Sequence, residues 1–340
     1  MTTTLSFATR DCVVIGCDSL ATSSRPMIDP FELLDRFIEV DKKGDLELKK
    51  GKDGKVIFKQ LSDLSTLIED LPYNQQTNVT KIYNIQGCKV GVLFAGIASI
   101  GEMSVKNIID DFTDEPEVEK YIKSSVTVKG ITNKLADYIK KIYDISFKGW
   151  DYKPVMEIIT SGYSDKHNKP EIFKTIFSSS GVSIEQSCKR GEHKIVFGGQ
   201  YDIIERIVLG IDFSTFNRYT SLIDKILSTY HSSIEKEMAA QGAAFKVPKP
   251  NDFNEVQEVL KERFWSGVGF PLANFSEQAA IDFVEFLVQV MIKSQQFSSK
   301  LPTVGGDIHM AIITKSGGFR WLSKEEYKFQ GNGVSKHEKE

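Results

Sequence analysis

Two residues near the start of the chain are suited to chemistry if the backbone brings them together. Thr2 carries a hydroxyl and, once Met1 is removed, a free α-amino group as well. The hydroxyl is a poor nucleophile until a base takes its proton. An α-amine titrates at about 7.7–8.0, well below a lysine, so near neutral pH it can be that base. The small second residue permits removal of Met1. Asp18 is the other residue. Leu5, Phe7, Val13 and Ile15 share one parity and Thr9-Arg10-Asp11 interrupts the run, which predicts a hairpin of strands 2–8 and 12–18. With the turn centred on Arg10, Leu5 faces Ile15, Phe7 faces Val13 and Thr2 falls opposite Asp18, at the roughly 4.5–5.5 Å expected of cross-strand neighbours. A cation held there by the carboxylate would lower the pKa of the amine by like-charge repulsion. The bland alternative is a frayed terminus and an ordinary turn aspartate, and these residues taken alone do not displace it.

The elements that must position this pair follow from hydrophobic spacing. Residues 24–78 break the alternation, with Pro26, Pro30, a helical stretch Phe31–Ile38 and a charged hairpin-like run Glu39–Lys59, and read as an insertion. Alternation resumes at Lys81–Ile85 and Lys89–Phe94 around a Gln86-Gly87 turn. Helical spacing follows in Met103, Ile108, Ile109, Phe112 and again in Ile131, Leu135, Tyr138, Ile139, Ile142. Strands are expected near Val155–Thr160, Glu171–Phe177 and Lys194–Phe197, and helices over Tyr201–Leu209 and Leu222–Met238. Residues 239–274 read as irregular around a short helix, Phe253–Phe264. Ser276 is placed to cap a helix over Glu277–Gln296, and a hairpin, Asp307–Thr314 with Gly318–Leu322, closes the fold before a polar tail at 323–340. This order suits two sheets packed face to face between helix layers.

Composition narrows the function classes. Of 340 residues 41% are hydrophobic and 26% charged, an ordinary globular balance. A net charge of -3 and a pI near 6.1 argue against nucleic acid or an anionic membrane as partner. The densest basic stretch, Lys42 to Lys59, is interleaved with Asp41, Asp45, Glu47 and Asp53. No apolar run approaches the roughly 18 residues needed to span a bilayer, and no signal-peptide pattern opens the chain, so a cytoplasmic location is expected. Cys12, Cys17, Cys88 and Cys188 show no metal or disulfide spacing and read as small buried hydrophobes, with Cys12 and Cys17 on opposite faces of their strand. The five histidines are scattered, which gives a zinc site no support.

Thr2-Thr-Thr-Leu-Ser-Phe, followed by Val13-Val-Ile-Gly-Cys-Asp18-Ser-Leu-Ala-Thr22, resembles the opening of proteasome β-subunits and the bacterial HslV protease. The next elements of that family resemble Thr80-Lys81-Ile-Tyr-Asn-Ile and Val90-Gly-Val-Leu-Phe-Ala-Gly96-Ile-Ala98, here separated from the first hairpin by the insertion. The resemblance implies an N-terminal-nucleophile fold, a four-layer α/β/β/α sandwich over 2–322 with insertions at about 24–78 and 210–275. It implies Thr2 as nucleophile with its own amine as base, Asp18 paired with Lys81, and the Gly96 N–H directed at the oxyanion. Thr22 and Ala98 would bind a substrate backbone as an added strand, and Phe94 would floor a specificity pocket. Neither a metal nor an organic cofactor is implied.

The second half departs from the family pattern. The serine expected after the Ile195–Gly198 strand is Gly199, and the auxiliary aspartate and serine before Gly305-Gly306 are Leu301 and Val304. Thr303, between these two positions, is the expected partial substitute. The expected activity is therefore threonine-dependent hydrolysis of an amide, in a peptide first, in a chain expected to self-associate, with a ring as one form. Two alternatives stand beside it: an amidase or acylase acting on a small non-peptide amide, and an inactive structural ring subunit. Retention of Thr2, Asp18 and Lys81 together argues against the last.

Overall fold

The computed structural model describes residues 2–28, 30–40, 43, 45–50, 54–56, 68–150, 153–241, 269–298 and 301–324. Two five-stranded antiparallel sheets form its centre. The first has the order β14 (Lys194–Gly199), β1 (Thr3–Ala8), β2 (Cys12–Asp18), β15 (Ile308–Thr314), β16 (Gly318–Ser323). The second runs β13 (Gly181–Cys188), β12 (Pro170–Ser178), β11 (Met156–Tyr163), β8 (Val90–Ala95), β7 (Ile82–Ile85). Val13, Ile15, Cys17 and Ile313 of the first sheet meet Leu93, Ile159 and Ile172 of the second to make the central core.

The outer face of each sheet is covered by helices, which completes the four layers. Leu5, Phe7, Val14, Met310 and Ile312 bury their side chains against Val284, Leu287, Val288 and Met291 of α7 (Glu277–Gln296) and Ile204 of α5 (Asp202–Leu209). Val92, Phe94 and Ile158 do the same beneath α2 (Val105–Asp114) and α4 (Val128–Ser146). Each such aliphatic side chain contributes about 1.5–3 kcal/mol when fully buried. Ser276 Oγ accepts from Ala279 N at 3.2 Å, the expected cap of α7. At Gly16 a Cβ would lie 2.6 Å from Val284 Cγ1, so the helix rests directly on the β2 backbone.

The first hairpin differs by one residue from the register read in the sequence. Thr9 N donates to Cys12 O at 2.9 Å, and Thr9 Oγ1 accepts from Cys12 N at 3.1 Å. This closes a tight loop on Arg10-Asp11 and sets Thr4 opposite Cys17, Leu5 opposite Gly16 and Phe7 opposite Val14. Leu5 and Phe7 thus share their face with Cys12 and Val14, while Val13, Ile15 and Cys17 face the second sheet. Cys12 and Cys17 are on opposite faces, as expected. Both faces of this sheet are buried, so alternation does not mark one apolar side and leaves the register open by one residue.

Several elements have no counterpart in the sequence reading, among them α3 (Pro116–Ser124), β13 and the strands β3 (Ala21–Ile28) and β6 (Ile68–Gln76). α3 follows α2 directly, and β13 is a mostly exposed edge strand without an apolar pattern. α6 (Phe213–Ala240) begins earlier than expected because Asp212 caps it, accepting from Thr215 N at 2.8 Å. Within 24–78, β3 pairs antiparallel with β6, and α1 (Pro30–Phe37) and the pair β4 (Ile38–Val40) and β5 (Leu46–Leu48) lie between them in sequence. The expected helix Phe253–Phe264 and the tail beyond Lys324 lie outside the described residues.

Candidate active site

The start of β1, the end of β2 and the approach to β7 meet at one point. Thr2 Oγ donates to Asp18 Oδ1 at 2.5 Å and accepts a hydrogen bond from Lys81 Nζ. Lys81 Nζ also donates to Asp18 Oδ1 at 2.8 Å and to Leu20 O at 2.6 Å, so its three protons are all committed. Thr2 is 4% exposed, Asp18 0% and Lys81 6%, so the ion pair is almost wholly desolvated. Charge-assisted bonds must offset that desolvation. Asp18 collects them: Oδ1 also accepts from Thr3 N at 2.9 Å, and Oδ2 accepts from Gly305 N at 3.0 Å and Leu20 N at 3.3 Å.

The register explains how the trio forms without the expected cross-strand pair. Thr3 continues the ladder toward Asp18 and bonds to it through its N–H, and Thr2, one residue further out, is reached by the carboxylate side chain instead. Ser19 N and Leu20 N donate to Gly305 O at 3.2 and 2.9 Å, which ties the end of β2 to the loop before β15.

A second group of residues surrounds the Thr2 backbone, and sequence reasoning missed most of it. Gln200 N donates to Thr2 O at 2.7 Å, and Thr3 Oγ1 donates to Gln200 O at 2.6 Å. Thr303 Oγ1 donates to Gln200 Oε1 at 2.6 Å. Gly199 has a φ of 75°, and a Cβ there would lie 2.0 Å from Thr2 O and 3.3 Å from the Ala95 Cβ. Only glycine fits between these groups. The Gly199 N–H donates to Glu157 Oε2 at 2.9 Å, and Glu157 pairs with Lys174 at 3.2 Å. No motif marks Gln200 or Glu157; their roles depend on a turn geometry and on contact between sheets.

The remaining expected residues are placed as follows. Gly96 follows Ala95 directly, with a φ of 102° and a virtual Cβ 2.3 Å from Val155 O, so this elbow also requires glycine. Phe94 N donates to Lys81 O at 3.0 Å, but its ring is 4% exposed and packs edge-on to Tyr83 under the helices. Thr22 lies on β3 opposite Gln75, and Ala98 is exposed beyond β8; neither shares a hydrogen bond with the trio. Val304 is buried and Leu301 exposed, and neither carries a polar group.

Cys17, next to Asp18 at the end of β2, is a fully buried thiol. Burial pushes the Cys17 thiol up to about 12, so it stays protonated. His309, opposite Cys17 in the β15 ladder, is buried with neither ring nitrogen partnered. Burial first, and then the Lys81 charge, hold its pKa below the ordinary histidine range. Among the described residues no group of three or more His, Cys, Asp or Glu is arranged to hold a metal ion, and no helix is long and apolar enough to cross a membrane.

Among solved structures, the fold is similar to that of the Anbu (Gly-1) mutant from Hyphomicrobium sp. strain MC1. The identity is 9% and the TM-score 0.45, over 96% of this chain and 86% of that one. No protein-family model matches the sequence, and no curated protein matches it.

Proposed function

We propose that this chain is a threonine-type N-terminal-nucleophile hydrolase of the proteasome-like kind, cleaving amide bonds, with peptides as the first substrate class. The observation that carries the reading is the contact of Thr2 Oγ with both Asp18 and Lys81 in a desolvated setting. A structural threonine needs neither a buried lysine nor a buried carboxylate on its hydroxyl.

Removal of Met1 exposes the Thr2 amine beside the Lys81 ammonium. A neighbouring cation favours the neutral, basic form of an amine. Thr2 Oγ attacks the substrate carbonyl carbon while its proton passes to that amine, and the oxyanion forms near the Gly96 N–H. Donors of this type contribute about 2.7–4 kcal/mol in the transition state. The C–N bond then breaks as the amine returns the proton to the leaving nitrogen, leaving an ester on Oγ. Water, deprotonated by the same amine, attacks the ester, and the acid departs as Oγ regains its proton. Asp18 holds Lys81 and accepts from the resting hydroxyl. In this reading Thr22 and Ala98 bind a substrate backbone as an added strand, while the Phe94 ring, buried against Tyr83, acts at most through the strand that carries it. Assembly into a homo-oligomer belongs to the same proposal.

Intact mass before and after a threonine-directed epoxyketone tests the reading. Loss of Met1 with one adduct that vanishes in Thr2→Ala supports it. Retention of Met1 in normally matured protein overturns it, because no free amine would exist.

A further inference from the structure

We infer that Gln200 and Thr303 brace Thr2 in its reactive position, an assignment that rests on the nucleophile reading above. Thr2 lies just outside the ladder: pairing in β1 starts at Thr3, opposite Gly199, and at Thr4, opposite Cys17. A residue beyond the last rung frays unless something holds it. Gln200 supplies that hold through its backbone, with its N–H on Thr2 O at 2.7 Å and its carbonyl accepting from Thr3 Oγ1 at 2.6 Å. One peptide carbonyl and one side-chain hydroxyl of the nucleophile segment are thereby fixed to one residue of a neighbouring strand end.

Gln200 is itself held from two sides, through its side chain and through the residues before it. Its Oε1 accepts from Thr303 Oγ1 at 2.6 Å, and Thr303, 7% exposed, donates its N–H to Gln295 Oε1 of α7 at 3.4 Å. From the other sheet, Glu157 takes the Gly199 N–H, and Lys174, which pairs with Glu157, also donates to Phe197 O at 2.9 Å. The positive φ of Gly199 turns the chain between these anchors so that the next N–H meets Thr2 O. The result is a continuous path from a packed helix, through Thr303 and Gln200, to the nucleophile. Neither residue touches the Thr2 hydroxyl, so both are positioning residues. Their effect falls on the rate of attack, which depends steeply on the placement of Oγ, and not on substrate affinity.

The test compares Thr303→Val, which keeps the shape and removes the donor, with Thr303→Ser, which keeps the donor, and with Gln200→Ala. For each, the maximal labelling rate and the half-saturating concentration of the epoxyketone are measured, together with hydrogen exchange of the Gln200 amide and the melting temperature. The brace predicts a maximal rate about tenfold or more lower in Thr303→Val and Gln200→Ala at unchanged half-saturation, and a near wild-type rate in Thr303→Ser. It also predicts faster Gln200 exchange in Thr303→Val without loss of the global fold. Wild-type labelling in Thr303→Val, or a serine variant as slow as the valine one, overturns the assignment. Unchanged Gln200 exchange overturns it whatever the labelling shows. Failure of the wild type to label after Met1 is lost refutes the nucleophile reading and the catalytic role of the brace with it, while exchange still reports on the brace alone.

Discussion

Lys81 Nζ stands 2.8 Å from Asp18 Oδ1, with the two side chains 8% and 0% exposed. A pair so deeply buried is weak evidence for stability, because apolar residues of similar volume often serve as well or better. Its partners show what it does hold: the Thr2 hydroxyl, the Thr3 and Gly305 amides and the Leu20 carbonyl converge on the two charges. The pair organises four separate stretches of chain around one hydroxyl.

Removing one charge is expected to cost more than removing both. Lys81→Met strands a buried carboxylate and should lower stability by about 3–5 kcal/mol, with labelling of Thr2 abolished. Combining it with Asp18→Leu should recover a large part of that loss without restoring labelling. Urea denaturation of the two single variants and the double variant measures the coupling; additive losses would show that the charges act independently.

Restoring the serine expected at position 199 should harm the protein. A Cβ at Gly199 meets Thr2 O at 2.0 Å, and the φ of 75° disfavours any side chain there. Gly199→Ser is expected to lose about 1–3 kcal/mol and to label more slowly than wild type. A serine variant that labels faster would show that the backbone yields and the hydroxyl assists.

His309 should make the protein acid-sensitive. Burial and Lys81 lower its pKa, Lys324 opposes protonation further, and Asp307 and Asp18 only partly compensate. Below the unfolded-state value of about 6.5 the unfolded chain therefore binds more protons than the folded one, and stability falls as pH falls through the window beneath it. Melting temperatures from pH 7.5 to 5 should drop less steeply in His309→Leu than in wild type; parallel curves would contradict this.

Asp212 should contribute in the opposite pH sense to a raised group. Burial alone would lift its pKa, but hydrogen bonds from Thr215 and Arg206 outweigh that and hold it well below the usual carboxylate range. Its capping contribution is thus complete above the unfolded value of about 3.9 and is lost as pH falls through the folded one. Asp212→Ala should cost about 1–2 kcal/mol at pH 7, mainly from the lost cap, since Arg206 is largely exposed. Repeating the comparison near pH 2.5 should shrink the difference.

The layers, the hairpins β7–β8 and β15–β16, and α7 were legible in the sequence because each shows a clear period with turn or cap residues at its ends, as at Gln86-Gly87 and Ser276. The register of β1 and β2 was not, since Val13 and Leu5 are both apolar but face different cores. Thr2, Asp18 and Lys81 could be named from residue types and a family resemblance. Gln200, Thr303 and Glu157 could not be placed, because their bonds depend on the left-handed turn at Gly199 and on contacts that no spacing encodes.

Asp18 takes the Gly305 amide across 287 positions of sequence, and β2 lies between β1 and the late strand β15. During synthesis the ribosome must therefore deliver nearly the whole chain before the carboxylate is fully engaged. Until then Thr2 has an incomplete set of neighbours. The set of bonds around the Thr2 hydroxyl is therefore complete only once a segment 287 residues beyond Asp18 has folded against β2.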